Sequence, residues 1–435
     1  MADVYVNISR GKTATQSSSY QNYGNASLAL TAGPTGALSF CTDLQDAPWW
    51  TVDLGGVFSV HRITVWNRED CGPDVARRAI PLQIEHSHDN QTWKAVLRCD
   101  YLFGGALSDS PLTATLAEPV LTRYVRLRVI GTSYLHLDHV EVLTRVPENA
   151  IVLPHATATN IRPSRNAMLA DLRLLHSAGF FSNCTILLEA IMQLAARGIA
   201  VDRIDATSSF LFFKDDPLDS EYFHEFFDVR PDEIDANVHH DSFAWPEVHG
   251  CYKTMDYGKF RRFVRSYFSP SADILRHAGV LAEKYGIDPD NTLCIWYRGT
   301  DKKVELAPVE VDHYVKAADS ILRDNPNLRV VVQTDQQQVL EYLTGYYKDR
   351  CVYFPELPAT QNDVGFHHED IPGKYAITRK QFSKWLLAAV ILLSKSKHLV
   401  SHTGNVGFWL ALYRDNPVGL RQFNGDNPAS VESGG

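Results

Sequence analysis

The hydrophobic period changes once along this chain, and that change limits what it can fold into. Up to residue 146 the apolar residues come in short runs between turn residues, at 49–54, 61–66, 82–86, 93–98, 124–129 and 140–143. Several runs alternate with period two. In the fifth, Val125, Leu127 and Val129 would face a core, with Arg126 and Arg128 toward solvent. Many short strands without a helical period imply an all-β sandwich or barrel over 1–146. From residue 292 onward the texture differs. Strand candidates at 293–297, 328–333, 351–354 and 398–401 alternate with helix candidates at 310–324, 336–347, 379–395 and 405–414. That is the pattern of a parallel, doubly wound α/β sheet.

Between these regions, 147–165 carries Pro147, Pro154 and Pro163 without a clear period and reads as a linker. Residues 183–197 have the pattern of a strong helix, which Gly198 would stop. After about 424 the chain is small and polar and is expected to fray. The expected organisation is a β-sandwich over 1–146, a linker over 147–165, an α/β half over 166–290, a second over 291–424 and a tail over 425–435. No internal repeat is visible. A chain of 435 residues has room for two to four units.

Composition excludes some partners. The net charge is −9 and no long basic run occurs, so nonspecific nucleic-acid or membrane-surface binding is not expected. The seven cysteines are odd in number and none forms a Cys-x-x-Cys pair, which argues against a zinc ribbon, a redox motif or a disulfide framework. No apolar run reaches membrane-spanning length, and residues 1–20 are polar rather than signal-like. The expectation is a reduced, cytoplasmic protein. Asn-x-Ser/Thr triplets at Asn7, Asn25, Asn90 and Asn183 matter only in a secreted chain.

Four stretches of the first region carry a family likeness. They are 7–18 (Asn-Ile-Ser-Arg-Gly-Lys-Thr-Ala-Thr-Gln-Ser-Ser), 48–55 (Pro-Trp-Trp-Thr-Val-Asp-Leu-Gly), 123–128 (Arg-Tyr-Val-Arg-Leu-Arg) and 134–142 (Tyr-Leu-His-Leu-Asp-His-Val-Glu-Val). Together they resemble the discoidin family, or coagulation factor V/VIII C-type domains, over about the first 145 residues. Members bind sugars, lipids or proteins. The sugar-binding members use a loop His, two arginines and an Arg-x-Asp-Cys segment. Arg68-Glu69-Asp70-Cys71 matches that segment, and Arg77 or Arg78 would supply the second arginine at a longer spacing. Cys41 stands where related sequences carry the His, and a thiol is a poor hydrogen-bond partner for a sugar hydroxyl. The resemblance leaves two readings, a sugar site or a docking module. The Trp49-Trp50 pair reads as core.

The residues with chemical potential lie at three strand ends: Arg298 to Lys302, Thr334-Asp335, and Ser401 to Asn405. In an open α/β sheet the ligand sits beyond the carboxyl ends of the strands. Arg298 can grip a phosphate with two parallel charge-assisted bonds. Thr403-Gly404-Asn405 opens the last helix, whose free N–H groups and dipole favour an anion, and glycine permits close approach. Asp335 can accept two N–H bonds from a base such as guanine. The blander readings are an ion pair, an N-cap and a helix-capping aspartate.

Taken together, 292–410 resembles the α1,6-fucosyltransferase and protein O-fucosyltransferase superfamily. Arg298-Gly299-Thr300-Asp301-Lys302 looks like its first motif, whose arginine contacts the nucleotide diphosphate. Thr334-Asp335 looks like the second, whose aspartate contacts guanine. Ser401, Thr403, Gly404 and Asn405 look like the third, which cradles the β-phosphate. The resemblance implies a GT-B fold with two Rossmann-like halves, a GDP-fucose donor, a glycan or glycoconjugate acceptor, inversion, and no metal or other cofactor. Residues 179–183 (Gly-Phe-Phe-Ser-Asn) would line the acceptor cleft. Glu305 is the candidate base, assisted by Lys302, with Asp301 next and then His367 or His368. Asp215-Asp216, followed by Pro217, reads as an ordinary loop. Gly11-Lys12-Thr13 lacks the upstream glycine of a P-loop, and no GxGxxG, GxSxG or HExxH occurs. The alternatives are another nucleotide-sugar donor and a non-catalytic carbohydrate-binding protein. Linkage, acceptor and oligomeric state are not legible.

Overall fold

The computed structural model describes residues 4–31, 33–146, 150–164, 168–231, 243–299, 309–361 and 371–423. The chain divides into two compact units. One is Met1–Asn160 with Arg173–Ser177 and Thr207–Leu211; the other is Ile161–Leu172, Ala178–Ala206 and Phe212–Gly435.

The first unit is all-β apart from short helical turns. Two strands of 18 residues, Trp49–Trp66 and Leu112–Val129, pair antiparallel at its centre. The first merges two runs that the sequence pattern separates, 49–54 and 61–66, and the second extends the run 124–129 backward to Leu112. Register shifts between Asp53/Phe58 and Val60/Arg62 let the long strands bend. Val125, Leu127 and Val129 are buried, and the period-two reading holds. Arg126 and Arg128 are not simply solvated. They close on Glu85 of the neighbouring strand at 2.6 and 2.8 Å, and Glu85 is itself buried. Burial opposes ionisation there, but bonds from Arg128 and Arg126 hold the carboxyl below the ordinary glutamate range. Trp50 is fully buried, with its indole N–H on Ala26 O at 2.9 Å, whereas Trp49 is half-buried. Arg123 grips Asp53 through two bonds of 2.8 and 2.7 Å. These signature residues hold the scaffold together.

Residues 150–164 of the expected linker are structured. Ile151–Leu153 and Ala156–Pro163 pair antiparallel. Pro154 falls in the turn between them and Pro163 at a strand end, where proline costs no ladder bond. Strand Met168–Leu174, helix Phe180–Ala195 and strand Ile199–Asp205 follow, the two strands adjacent in one sheet. The helix begins three residues before the expected start at 183. Gly179 is its N-cap, and Phe180, Phe181 and Asn183 are buried. Segment 179–183 is therefore a helix start packed in the core, not a cleft-lining loop. Its aromatic rings are buried against Phe213, Phe226 and Trp409 in edge-on and tilted contacts. Helices Tyr257–Tyr267 and Ala272–Tyr285 lie further along the chain.

The remainder is a five-stranded parallel sheet. Its strands are β1 (Thr292–Tyr297), β2 (Arg329–Thr334), β3 (Cys351–Val352), β4 (His398–His402) and β5 (Leu420–Phe423). The order is β3-β2-β1-β4-β5, every neighbouring pair parallel. Helices α1 (Val311–Asp324), α2 (Gln337–Tyr347), α3 (Arg379–Ser394) and α4 (Asn405–Arg414) lie between them in sequence. Leu293, Ile295, Val330, Val332 and Val400 are fully buried on the sheet. Continuous apolar runs of this kind suit a parallel sheet covered on both faces. From Val406 to Tyr413, α4 is buried all round, and Trp409 donates to Thr185 Oγ1 at 3.0 Å. Its N-terminus is thus anchored by the core.

Candidate functional site

The strand order has one reversal. The chain leaves β1 toward β2 and leaves β4 toward β5, in opposite directions, so the adjacent ends of β1 and β4 open a crevice. Register levels the strand ends: Trp296 pairs with Ser401, and Tyr297 with Thr334. A cleft of about 260 Å³, open mouth included, lies at this point. It is lined by Trp296, Arg298 and the continuous segment 401–407.

Two motif regions thus meet across one cleft, and the third lies beside it. Arg298 follows β1 directly. Its Nε stands 3.7 Å from Asp335 Oδ2, beyond hydrogen-bond length, while Asp335 Oδ1 accepts the Gly299 amide at 3.1 Å. Asp335 is therefore engaged with the turn that follows β1. A Cβ at Gly299 would stand 2.3 Å from Gln336 Oε1, so a larger residue there requires the Gln336 side chain to move. Thr334 is spent locally, its Oγ1 accepting the Gln336 amide at 3.1 Å. Ser401 Oγ and Asn405 Oδ1 are buried and have no hydrogen-bond partner among the described residues. Both belong to the cleft lining. Gly404 has φ +122°, a conformation that favours glycine.

One donor expected to be free is not. The Gly404 N–H bonds to Tyr252 Oη at 3.0 Å. Tyr252 lies 152 residues upstream, and local sequence carries no signal for it. The first amides of α4 proper, at 405–407, remain without intrahelical partners by helix geometry. Thr403 also turns inward, with Oγ1 3.5 Å from Val248 O. Thr300, Asp301, Lys302, Glu305, His367 and His368 lie outside the described residues. Asp215 accepts the Arg379 and Lys380 amides at the start of α3, a capping role that fits an ordinary loop.

The loop end of the first unit gathers a different set. Arg68 forks onto Asp70 at 2.6 and 2.8 Å and reaches Cys71 Sγ at 2.9 Å. The Arg78 guanidinium lies 5.2 Å from the Tyr134 ring centre, and Arg77 is exposed on the same turn. Cys41 pairs across the strands with His136, so the two side chains share a face. Burial raises the Cys41 thiol, against the pull of Arg68 and Arg78. Burial and then Arg68 push His136 down to about 4, so it is neutral at neutral pH. Both of its ring nitrogens are buried without a hydrogen-bond partner among the described residues. The sequence reading assigned His136 no role. Its placement opposite Cys41 is a matter of strand register, which local sequence does not report. Among the described residues no cluster of three His, Cys, Asp or Glu has metal-site geometry.

Known proteins bear on this unit. Residues 13–138 match the F5/8 type C domain. Those residues form a discoidin-like domain. Fucolectin-6 of Anguilla japonica is 30% identical over 103 residues, 23% of this chain and 52% of the relative. Fucolectin-4 of the same eel is 31% identical over 113 residues, 25% of this chain and 60% of the relative. The chain thus spans somewhat over half the length of these curated relatives. Among solved structures, an f-lectin (fucolectin) from striped bass (Morone saxatilis) serum is 27% identical. It covers 38% of this chain and 58% of that one, with a TM-score of 0.30. The lectin domain of lectinolysin complexed with Lewis B antigen is 26% identical, covering 33% and 98%, with a TM-score of 0.28. In the discoidin-like domain of this chain, the matched segment includes the Arg68–Asp70 fork, Cys41 and His136.

Proposed function

We propose that the α/β unit binds a nucleoside-diphosphate sugar in the β1/β4 crevice and transfers its sugar to a glycan hydroxyl. On the motif resemblance the donor is GDP-fucose and the fold is of the GT-B type. The carrying observation is the meeting of Arg298 with the N-terminus of α4 across the cleft at the sheet's point of reversal. A cation and a helix N-terminus facing one small cleft suit a diphosphate, whose charge both would stabilise. In transfer, the acceptor oxygen bonds to the anomeric carbon as the bond to the diphosphate oxygen breaks. The acceptor proton passes to a base, Glu305 on the sequence reading, and Arg298 stabilises the charge left on the diphosphate. The discoidin-like domain is proposed to recognise carbohydrate, a reading supported by its similarity to fucolectins.

A second reading, a non-catalytic carbohydrate-binding protein, is favoured by that same similarity. Calorimetric titration of the full chain with GDP, UDP and L-fucose separates the two. Heat with GDP is expected under the first. Heat with UDP instead would change the donor, and heat with fucose alone would leave the crevice without a nucleotide.

A further inference from the structure

The turn that opens α4 is held by a residue far away in sequence. Tyr252 is 1% exposed, and its hydroxyl lies 2.7 Å from Val248 O, 3.0 Å from Gly404 N and 3.1 Å from Gly404 O. A phenol has one proton, which the nearer carbonyl of Val248 takes. Its oxygen then accepts the Gly404 N–H. The Tyr252 backbone is braced in turn, its N–H donating to Gln422 Oε1 at 2.7 Å, while Gln422 Nε2 donates to Gly250 O at 2.9 Å. Gln422 sits on β5, directly beside β4. Gly407 keeps the ring against the turn: a Cβ there would meet His402 O at 2.1 Å and Tyr252 Cε2 at 3.4 Å.

We infer that Tyr252 is a positioning residue for the diphosphate: it fixes the plane of the Gly404 peptide and so aims the amides of residues 405–407 into the cleft. A phenylalanine would fill the same volume, so the hydroxyl is there for the peptide it holds. Gly404 N–H is consumed by this bond, which assigns anion binding to the helix amides rather than to the turn glycine. Tyr252 touches no ligand on this account; it acts through Gly404. The inference rests on the diphosphate reading of the crevice.

The experiment compares GDP and GMP affinities of the full chain and of Tyr252→Phe, by calorimetry or by competition against GDP, with thermal melting alongside. Leaving the Gly404 amide unpaired should reduce the preference for GDP over GMP about tenfold, the order of one unmade buried bond. GMP affinity should stay near wild type, since its single phosphate and base do not depend on that turn. A preference for GDP equal to wild type overturns the inference. So does a parallel loss of both ligands with a lower melting temperature, because that is structural damage only. If Tyr252→Phe gives no cooperative melt, Gln422→Ala loosens the same brace and should reduce the preference severalfold; an unchanged ratio overturns the inference. Failure of the wild-type chain to bind GDP at all would instead remove the crevice reading, a result distinct from these.

Discussion

The loop end of the discoidin-like domain and the crevice of the parallel sheet both present arginine, but in different states. Arg68 is already forked onto Asp70 through two short bonds. In the crevice, Arg298 Nε stands 3.7 Å from Asp335 Oδ2, and Ser401 Oγ and Asn405 Oδ1 have no partner among the described residues. A satisfied ion pair must be opened or joined to take a ligand, at a desolvation cost. Polar atoms left unmatched in a cleft already favour one. Arginine content alone does not mark a binding site; unmatched polar atoms in the cleft lining, here Ser401 Oγ and Asn405 Oδ1, mark it better. In the first unit both ring nitrogens of His136 are buried and unmatched among the described residues, as are Gln16 Oε1, Asn67 Oδ1 and His86 Nδ1.

The largest expected effect lies in the crevice unit. Glu305→Gln keeps shape and removes the proposed proton acceptor, so transfer should fall by about 10²–10⁴-fold, the usual worth of a general base. GDP affinity should hold. Near wild-type transfer would move the search to Asp301 and the pair His367-His368.

A smaller effect is expected in the discoidin-like domain, as pH dependence. The ordinary His value of 6.5 falls to about 4 for His136 in the folded chain. The unfolded chain therefore binds more protons between those values. The stability held above pH 6.5 is lost as pH falls through about 4, by up to about 3 kcal/mol. His176, lowered to about 3 by burial and then Lys12, adds in the same direction. Melting of the full chain between pH 7 and 4 checks this: His136→Gln should flatten part of the slope, and an unchanged slope would place the loss elsewhere.

Much of the fold was legible because period is a local property. The helices at 311–324, 337–347 and 405–414 and the strands at 292–297 and 398–402 lie within a residue or two of their expected bounds. What was not legible depended on distant partners. Strands 151–153 and 156–163 were hidden by prolines that turn out to sit at a turn and a strand end. The Phe-Phe pair at 180–181 read as a loop because only its aromatic neighbours, at 213, 226 and 409, explain its burial. Arg298 and segment 401–405 were legible as strand-end chemistry. The consumption of the Gly404 amide was not, because Tyr252 comes from another element.

The smallest effect would sharpen the comparison from the lectin side. Cys41→His would restore an imidazole where the sugar-binding relatives of the resemblance carry one. An added hydrogen bond should raise L-fucose affinity about two- to tenfold. No change, or a fall, in a fucose titration of the full chain would favour the docking reading of this domain.

Whether the crevice holds a diphosphate is decided by Arg298→Ala. Calorimetry with the full chain should show GDP binding that weakens by about 1.5–3 kcal/mol in the variant, the worth of a charge-assisted contact. Arg298→Lys should not restore it fully, because an ammonium lacks the guanidinium fork. L-fucose binding through the discoidin-like domain should be unaffected. Equal GDP affinity in wild type and Arg298→Ala, or no GDP binding by the wild-type chain, would contradict the account.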